Sequence, residues 1–454
     1  MTLEQFLNKK RHSAKGAGLK PVFMPDKMFP HQEFAVTKAL DMMHYALFID
    51  TGLGKTLMEL VLAQNVVQIT NKKTLICTPL AVAYQFVREA SKFGIDDVEH
   101  SKNGKHTKKI VVCNYERLEK FDPNDFECII LDESSILKNF DGVMSGYITA
   151  FMKKIPMRYL FTATPSPNDF TELGTSSEAL GYMGYTDMLG KYFKNEENTI
   201  DPQSAGTKWR FKGHAEGPFF DWVSSWSLSM RMPSDLGFSD EGFVLPDLIV
   251  KDHFVRNENP LIVNGQYSMF AKVAKTNSEI LAEQKATINQ RCEKAVELAS
   301  NYPVSVYWIN LDKEAPAIKE LDKEAVVLQG AMDVDKKEEI LMSFQDGQIN
   351  KLITKAKITA FGLNWQHCGH TVFFPTFSYE QYKQARSRFW RLGRTEPVHV
   401  DRVLSDGQIR VIQSIDVKQE KADKMFSSLN RAINTASIDK KIHIPTKINL
   451  PSFI

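Results

Sequence analysis

Two short stretches bring together the residue types that phosphate and proton chemistry require. The first, "YALFIDTGLGKTLMELVLA" (45–63), reads as a strand, a glycine-containing turn and a helix. Gly52 and Gly54 remove side chains so that backbone N–H groups can converge on phosphate oxygens, and Lys55 adds a point charge for the terminal phosphates. Thr56 can offer its hydroxyl to Mg²⁺, and the helix from Leu57 turns its positive end toward the anion. A strict phosphate-loop pattern wants glycine at position 49, where Ile49 stands, so a chance Gly-Lys-Thr at a strand-to-helix turn is the competing reading. The second stretch, "CIILDESSILKN" (128–139), ends an apolar run in two acids. Beside a phosphate loop, Asp132 suits Mg²⁺ and Glu133 suits orienting or deprotonating an attacking water. Alone, the same residues could cap a helix through Asp132 or Ser134.

A third stretch, "QARSRFWRLGR" (384–394), concentrates basic residues. Arg388 and Arg391 are three apart and Gln384 lies one turn earlier, a spacing that predicts three polar heads on one helical face. A solvated basic face is the plainer alternative.

The elements that would carry these residues are legible as short apolar runs between helix-like segments. "YALFI", "TLICT", "KIVVCNY", "CIIL" and "RYLFTA" punctuate residues 45–163, and "VSVYWIN", "AVVLQ", "KLITK", "HTVFFP" and "VHVDRVL" punctuate 304–404. Continuous runs of this length predict parallel strands covered on both faces, hence two α/β domains. Between them an aromatic, Gly/Pro-punctuated stretch reads as an accessory insertion, followed by one long helix over "TNSEILAEQKATINQRCEKAVELA". The expected division is a basic arm (1–24), a first lobe (25–180), an insertion and connection (181–300), a second lobe (301–430) and a tail (431–454).

A length of 454 residues, 43% hydrophobic and 25% charged, fits an ordinary folded chain of two or three domains. The net charge of +2 leaves any attraction to nucleic acid to local clusters, such as the arm or the loop "SKNGKHTKK". Five scattered cysteines with no CxxC pair argue against a disulfide framework or a zinc site and for a reducing cytoplasm. No run is long enough to span a bilayer, and the amino terminus lacks the apolar core of a signal peptide, so neither export nor membrane insertion is expected.

With further segments in place, the chain resembles superfamily 2 helicases, specifically the Swi/Snf-like branch and its small phage and prophage relatives of the DEAD/DEAH-box type. "FPHQ" (29–32) resembles the adenine-reading Q motif, "TLICTPLAVAYQFVREASKFG" (74–94) motif Ia, and "LFTATPSPNDFTELG" (160–174) motif III. "TKAKITAFGLNWQ" is similar to motif V, and "QARSRFWRLGR" to motif VI. The resemblance implies two tandem RecA-like domains with parallel sheets and an accessory insertion, using ATP and Mg²⁺. It places Lys55 and Thr56 on the phosphates and Mg²⁺, Asp132 on Mg²⁺, and Glu133 as the base for water. Arg391 becomes an arginine finger, Arg388 a second arginine near the γ-phosphate, and Gln32, Gly362 and Gln384 further nucleotide contacts. Two departures stand out: Ser134 and Ser135 occupy the usual Ala and His places, and Thr359-Ala360 replaces a Gly pair. A bond from Ser135 to Thr162 or Thr164 is the expected substitute for the missing histidine relay.

The same resemblance implies a largely sequence-independent grip on nucleic acid, with Thr78 and Lys357 on the track and the lysines of "SKNGKHTKK" beside it. Trp209, Phe219, Phe220, Trp222 and Trp226 are read either as a stacking wedge or as the packing of the insertion. The implied partner is DNA, duplex, forked or branched, before RNA, with replication or recombination proteins as further partners. The expected activity is ATP-driven translocation or unwinding, serving phage or prophage DNA replication, recombination or repair. The alternatives are an RNA-directed helicase and an ATP-binding clamp that has lost hydrolysis.

Overall fold

Apolar runs of four to six residues bounded by polar turns become buried strands, because only a sheet covered on both faces hides side chains pointing both ways. The computed structural model describes residues 18–79, 82–195, 209–257, 262–263, 266–267, 276–359 and 364–440. The first sheet contains β1 (His44–Ile49), β2 (Lys73–Thr78), β3 (Val98–His100), β4 (Ile110–Asn114), β5 (Phe126–Leu131) and β6 (Met157–Thr162). After a ribbon of β7 (Phe193–Asn195) and β8 (Trp209–Phe211), β9 (Ser227–Met230) joins its edge. The order is β3-β4-β2-β5-β6-β1-β9, and every neighbouring pair is parallel. Since β5, β6 and β1 are neighbours, the loops leaving their carboxyl ends emerge together, where open α/β sheets bind ligands.

The helix Lys55–Thr70 follows β1 and buries Leu57, Met58, Leu60, Val61, Leu62, Ala63 and Val66. A helix apolar all round must be enclosed on all sides, and this one is. Its buried Asn65 fills its hydrogen-bonding capacity: Nδ2 donates to the carbonyls of Phe23 (2.7 Å) and Val61 (2.8 Å), and Oδ1 accepts from the N–H groups of Val22 and Phe23. The segment before the first helix, Pro30–Asp41, is thereby tied to the helix that follows β1.

The described residues divide into two units, one running to Phe243 and resuming at Lys421, the other spanning Val244–Glu420. The aromatic stretch expected within an insertion belongs to the first unit. Phe219, Phe220, Trp222 and Trp226 of the helix Glu216–Trp226 are buried with Tyr192 and Phe193, and Trp226 meets Phe48 of β1 edge-on at 6.1 Å. These rings pack a core. Met425, Phe426 and Leu429, from the helix Ile409–Lys440, complete the same core. Arg231 fastens them, pairing with Asp423 at 2.5 Å and lying over the Phe426 ring at 5.3 Å.

In the second unit β10 (Leu248–Val255) comes first, before a two-stranded ribbon of β11 (Ile262–Val263) and β12 (Gln266–Tyr267). β13 (Ser305–Trp308), β14 (Val326–Val327), β15 (Lys351–Thr354), β16 (His370–Phe373) and β17 (Val398–Ser405) follow. The order is β10-β17-β16-β13-β15-β14, again parallel throughout. The expected single long helix is two, Asn277–Ala286 and Ile288–Ala299. They meet at Thr287, whose hydroxyl donates to the Glu283 carbonyl (2.8 Å) and accepts from Arg291 Nε (3.2 Å). Arg291 also donates to the Gln284 carbonyl (2.6 Å) and to Glu314 (2.7 Å), with both ion-pair partners essentially inaccessible to solvent. Glu314 Oε2 accepts the N–H groups of Asn310 and Leu311 at 2.8 Å each, so the pair also fixes the loop leaving β13.

Arg291→Met would leave the Glu314 charge buried without its cation. The expected cost is about 3–5 kcal/mol in denaturant unfolding of the second unit, whereas truncating the exposed pair Lys153–Glu178 is expected to cost at most about 1 kcal/mol.

Candidate nucleotide site

The loop after β1 is shaped by two glycines in left-handed conformation, Gly52 at φ 88° and Gly54 at φ 81°. A Cβ on Gly54 would lie 2.3 Å from Gln32 Nε2, so the position excludes a side chain both by backbone conformation and by space. Lys55 opens the helix and folds back over its own loop, donating to the carbonyls of Ile49 (3.2 Å) and Asp50 (3.5 Å). Its ammonium therefore stands on the loop's inner side together with the helix's free N–H groups. Thr56, half-buried, follows on the same helix.

Gln32 braces this loop. Its Nε2 donates to the Leu53 carbonyl and its Oε1 accepts the Phe29 N–H, both at 3.0 Å. The residue expected to face adenine is thus buried against the phosphate loop. Beside it His31 is buried between Phe29 and Phe243, and burial pushes its imidazole down to about 4.

Asp132 leaves the carboxyl end of β5, one strand removed from β1 across β6. Its N–H donates to the Cys77 carbonyl (2.9 Å), its own carbonyl accepts the Tyr115 hydroxyl (2.6 Å), and its carboxylate accepts the Thr78 hydroxyl (3.0 Å). Thr78, expected on the nucleic-acid track, is instead fully buried and spends its hydroxyl on the acid. Burial, then the charge of Glu133, push Asp132 up to about 7, against the opposing Lys55 ammonium and Thr78 bond. Glu133 sits at φ 51°, a left-handed conformation that costs a non-glycine residue strain and is common at functional sites. The helix-cap alternative does not materialise as a side-chain cap. A single 3-10 turn, Ser134–Lys138, follows, and no side chain caps it. Nor does Ser135 reach Thr164: Ser134 Oγ and Thr164 Oγ1 are buried without a hydrogen-bond partner, and Thr162 Oγ1 accepts the Thr164 N–H (3.0 Å).

A third acid, Glu59, lies one turn after Lys55 and is fully buried among Lys55, Asp132 and Glu133. Burial and the Asp132 charge push its carboxyl well above the usual range. The sequence carried a signal for it, an acid inside the otherwise apolar run "LMELVLA". Among the described residues no group of three or more His, Cys, Asp or Glu side chains could hold a metal by itself. That suits Mg²⁺, which takes one or two carboxylates and completes its shell with phosphates and waters. Asp132 and Thr56 would hold it, and the buried carboxyl of Glu59, whose only polar side-chain neighbour within reach is Asp132, marks the polar space beside them.

In the second unit Gln384 and Arg388 do come together: Arg388 donates through Nη2 to Gln384 Oε1 (3.1 Å) and through Nε to its carbonyl (3.2 Å), and both are buried. Arg391 does not share a helical face with them. The helix ends at Arg386, where Ser387 donates its hydroxyl back to the Lys383 carbonyl (2.7 Å). Phe389 is drawn into contact with Trp308 and Trp365, leaving Arg391, half-buried, in the following turns. Lys357 lines a cavity of about 200 Å³ at the carboxyl ends of β13, β15 and β16, with Lys355, Asn310, Trp308 and Gln381. Gly362 lies outside the described residues.

Residues 26–167 match the family model described as the res subunit of type III restriction enzymes. Residues 290–393 match the helicase conserved C-terminal domain. The chain is an ATP-hydrolysing helicase of superfamily 2. No curated protein matches the helicase in sequence. Among solved structures, S. cerevisiae Dbp5 bound to RNA and ADP BeF3 is similar at a TM-score of 0.55 and 12% identity, over 89% of this chain and 94% of that one. The Sulfolobus solfataricus SWI2/SNF2 ATPase core in complex with dsDNA aligns over 93% of this chain and 97% of that one, at a TM-score of 0.41 and 17% identity. The two parallel sheets thus match the tandem RecA-like cores of a helicase.

Gly54→Ala forces both a clash with Gln32 and a disfavoured φ. The helicase should lose measurable nucleotide binding in a fluorescent-ADP titration and about 1–3 kcal/mol of stability. His31 predicts a pH dependence. Held neutral in the fold, it is protonated in the unfolded chain below pH 6.5, so its contribution is intact above that pH and is lost as pH falls toward 4. Between those limits the wild type should lose about 3 kcal/mol more than His31→Phe in urea unfolding.

Proposed function

We propose that this helicase is a DNA translocase or helicase of the Swi/Snf-like, phage or prophage type, coupling Mg-ATP hydrolysis to movement on duplex, forked or branched DNA. The observation that carries the hydrolytic reading is the meeting of Lys55, Asp132 and Glu133 at the carboxyl edge of one sheet, from strands separated only by β6. The branch rests on the spelling of the motifs around "DESSILKN" and "QARSRFWRLGR". Lys55 and the N–H groups of its helix hold the phosphates, and Glu133 takes the proton of the attacking water. Mg²⁺, when bound by Thr56 and Asp132, supplies charge neutralisation of the phosphates. Arg388 and Arg391, which the resemblance to motif VI assigns to the γ-phosphate, would stabilise the charge that grows on the transferred phosphoryl group, a role worth about 10³–10⁵ in rate. Gln384 positions Arg388 through the bond already formed.

The cavity beside Lys355 and Lys357 offers cationic and amide groups at the edge of the second sheet, where a nucleic-acid backbone would run. The lysines of "SKNGKHTKK" contribute less than their number suggests. Lys102 lies over the Tyr84 ring, while Lys108 and Lys109 donate to the Asp96 carbonyl and to Asn71. Replication, recombination or repair of phage DNA in a host cytoplasm is the setting this reading implies.

Purified protein should hydrolyse ATP with Mg²⁺, faster with DNA. Lys55→Ala and Glu133→Gln should each lower turnover by at least about 10²-fold while leaving the thermal melt in place. Comparing stimulation by single strands, duplex, forks and RNA tests the substrate. Stimulation by RNA alone would replace the DNA reading, and unchanged turnover in either variant would overturn the assignment of the site.

A further inference from the structure

Glu59 is an acid that the mechanism above leaves unused. It lies four residues after Lys55 on a helix whose other interior positions are apolar except for the fully hydrogen-bonded Asn65, and none of its surface is exposed. Neither of its carboxyl oxygens accepts a hydrogen bond from a backbone N–H, a hydroxyl or a basic side chain among the described residues, and the one polar side chain that comes within hydrogen-bonding reach is the equally acidic Asp132. The charges of Asp132, Lys55 and Glu133 all act on it. Buried acceptors of this kind are rare unless something absent from the protein supplies the donor. Lys55 does not, since its ammonium is engaged with the carbonyls of Ile49 and Asp50. Among the described residues the three acids form no metal-holding cluster by themselves, so the ion would bring its own waters into the space between them. What reaches such a position in an Mg-nucleotide site is water: Mg²⁺ gives up its hydration shell reluctantly and keeps several of its waters.

We propose that Glu59 is a positioning residue that accepts a hydrogen bond from a water in the hydration shell of Mg²⁺, and so sets the affinity of the site for the metal. Groups that orient a metal's ligands from behind typically change affinity by about 10–100-fold when removed. Leucine at 59 would keep the volume and remove the acceptor, while glutamine would keep an acceptor oxygen and lose the carboxyl.

The test compares wild type, Glu59→Leu and Glu59→Gln by fluorescent-ADP binding in EDTA and in Mg²⁺, and by Mn²⁺ binding to the ADP complex in electron paramagnetic resonance. Metal-free ADP should bind all three alike. Mn²⁺ affinity should fall about 10–100-fold in Glu59→Leu and by less in Glu59→Gln. Mn²⁺ affinity within twofold of wild type in Glu59→Leu would overturn the proposal. So would a parallel loss of metal-free ADP binding, since Glu59 would then only shape the loop. The inference rests on the proposed ATP site, and the two fail differently. Wild-type protein whose ADP binding ignores the metal refutes the site itself, while metal-dependent binding that is unchanged in both variants refutes only the role of Glu59.

Discussion

Three carboxyl groups, Glu59, Asp132 and Glu133, are buried around the single ammonium of Lys55, and much of the first unit serves to hold them there. Desolvating one carboxylate is costly, and placing others beside it adds repulsion that one lysine does not cancel. The fold compensates through bonds to Asp132 from Thr78 and through the Tyr115 hydroxyl on its carbonyl. A divalent cation would invert the local electrostatics, turning a set of mutually repelling acids into a set of ligands and acceptors. The site is therefore most strained without its ligand, a poise suited to an enzyme that must bind and release nucleotide in each cycle.

Parallel topology is what makes this concentration of charge affordable. With β6 between β5 and β1, the acid pair and the phosphate loop leave the same sheet edge from nearly adjacent strands, and no long side chain is needed to bridge them. The enclosed helix Lys55–Thr70 then fixes Lys55 and Glu59 relative to each other by one helical turn. Gln32 adds the remaining constraint, linking the first helix to the loop at Leu53. Each of these is a short-range connection between rigid elements, so the geometry depends little on mobile side chains.

Ten apolar runs read from the sequence became ten strands, because strands hidden on both faces advertise themselves as uninterrupted hydrophobic runs. The acid pair and the glycine loop were equally visible, since their chemistry restricts the residue types that can stand there. The misses have physical reasons. Thr78 ends a strand and looks like an exposed hydroxyl until sheet order puts Asp132 next to it. Glu59 is a lone acid inside an apolar run, and its place beside Asp132 emerges only once the helix proves buried all round. Arg391 obeys helical spacing in sequence, but Ser387 and Phe389 end the helix before reaching it. β9 sits in the aromatic stretch and β10 just after it, neither marked by an uninterrupted apolar run of the kind that announces the other strands, so their membership of the two sheets is a tertiary fact.

The first core is closed by side chains from opposite ends of the chain. Met425, Phe426 and Leu429 pack among residues that precede Phe243, while Val244–Glu420 forms a unit of its own between them. During synthesis from the amino terminus, the second unit can be finished while the first still lacks part of its interior. The first unit is then the last to become complete, with part of the apolar surface of its earlier elements uncovered until the last helix is made. A chain released before the helix Ile409–Lys440 is made would carry every residue of the ATP site and still lack a sealed core beneath it.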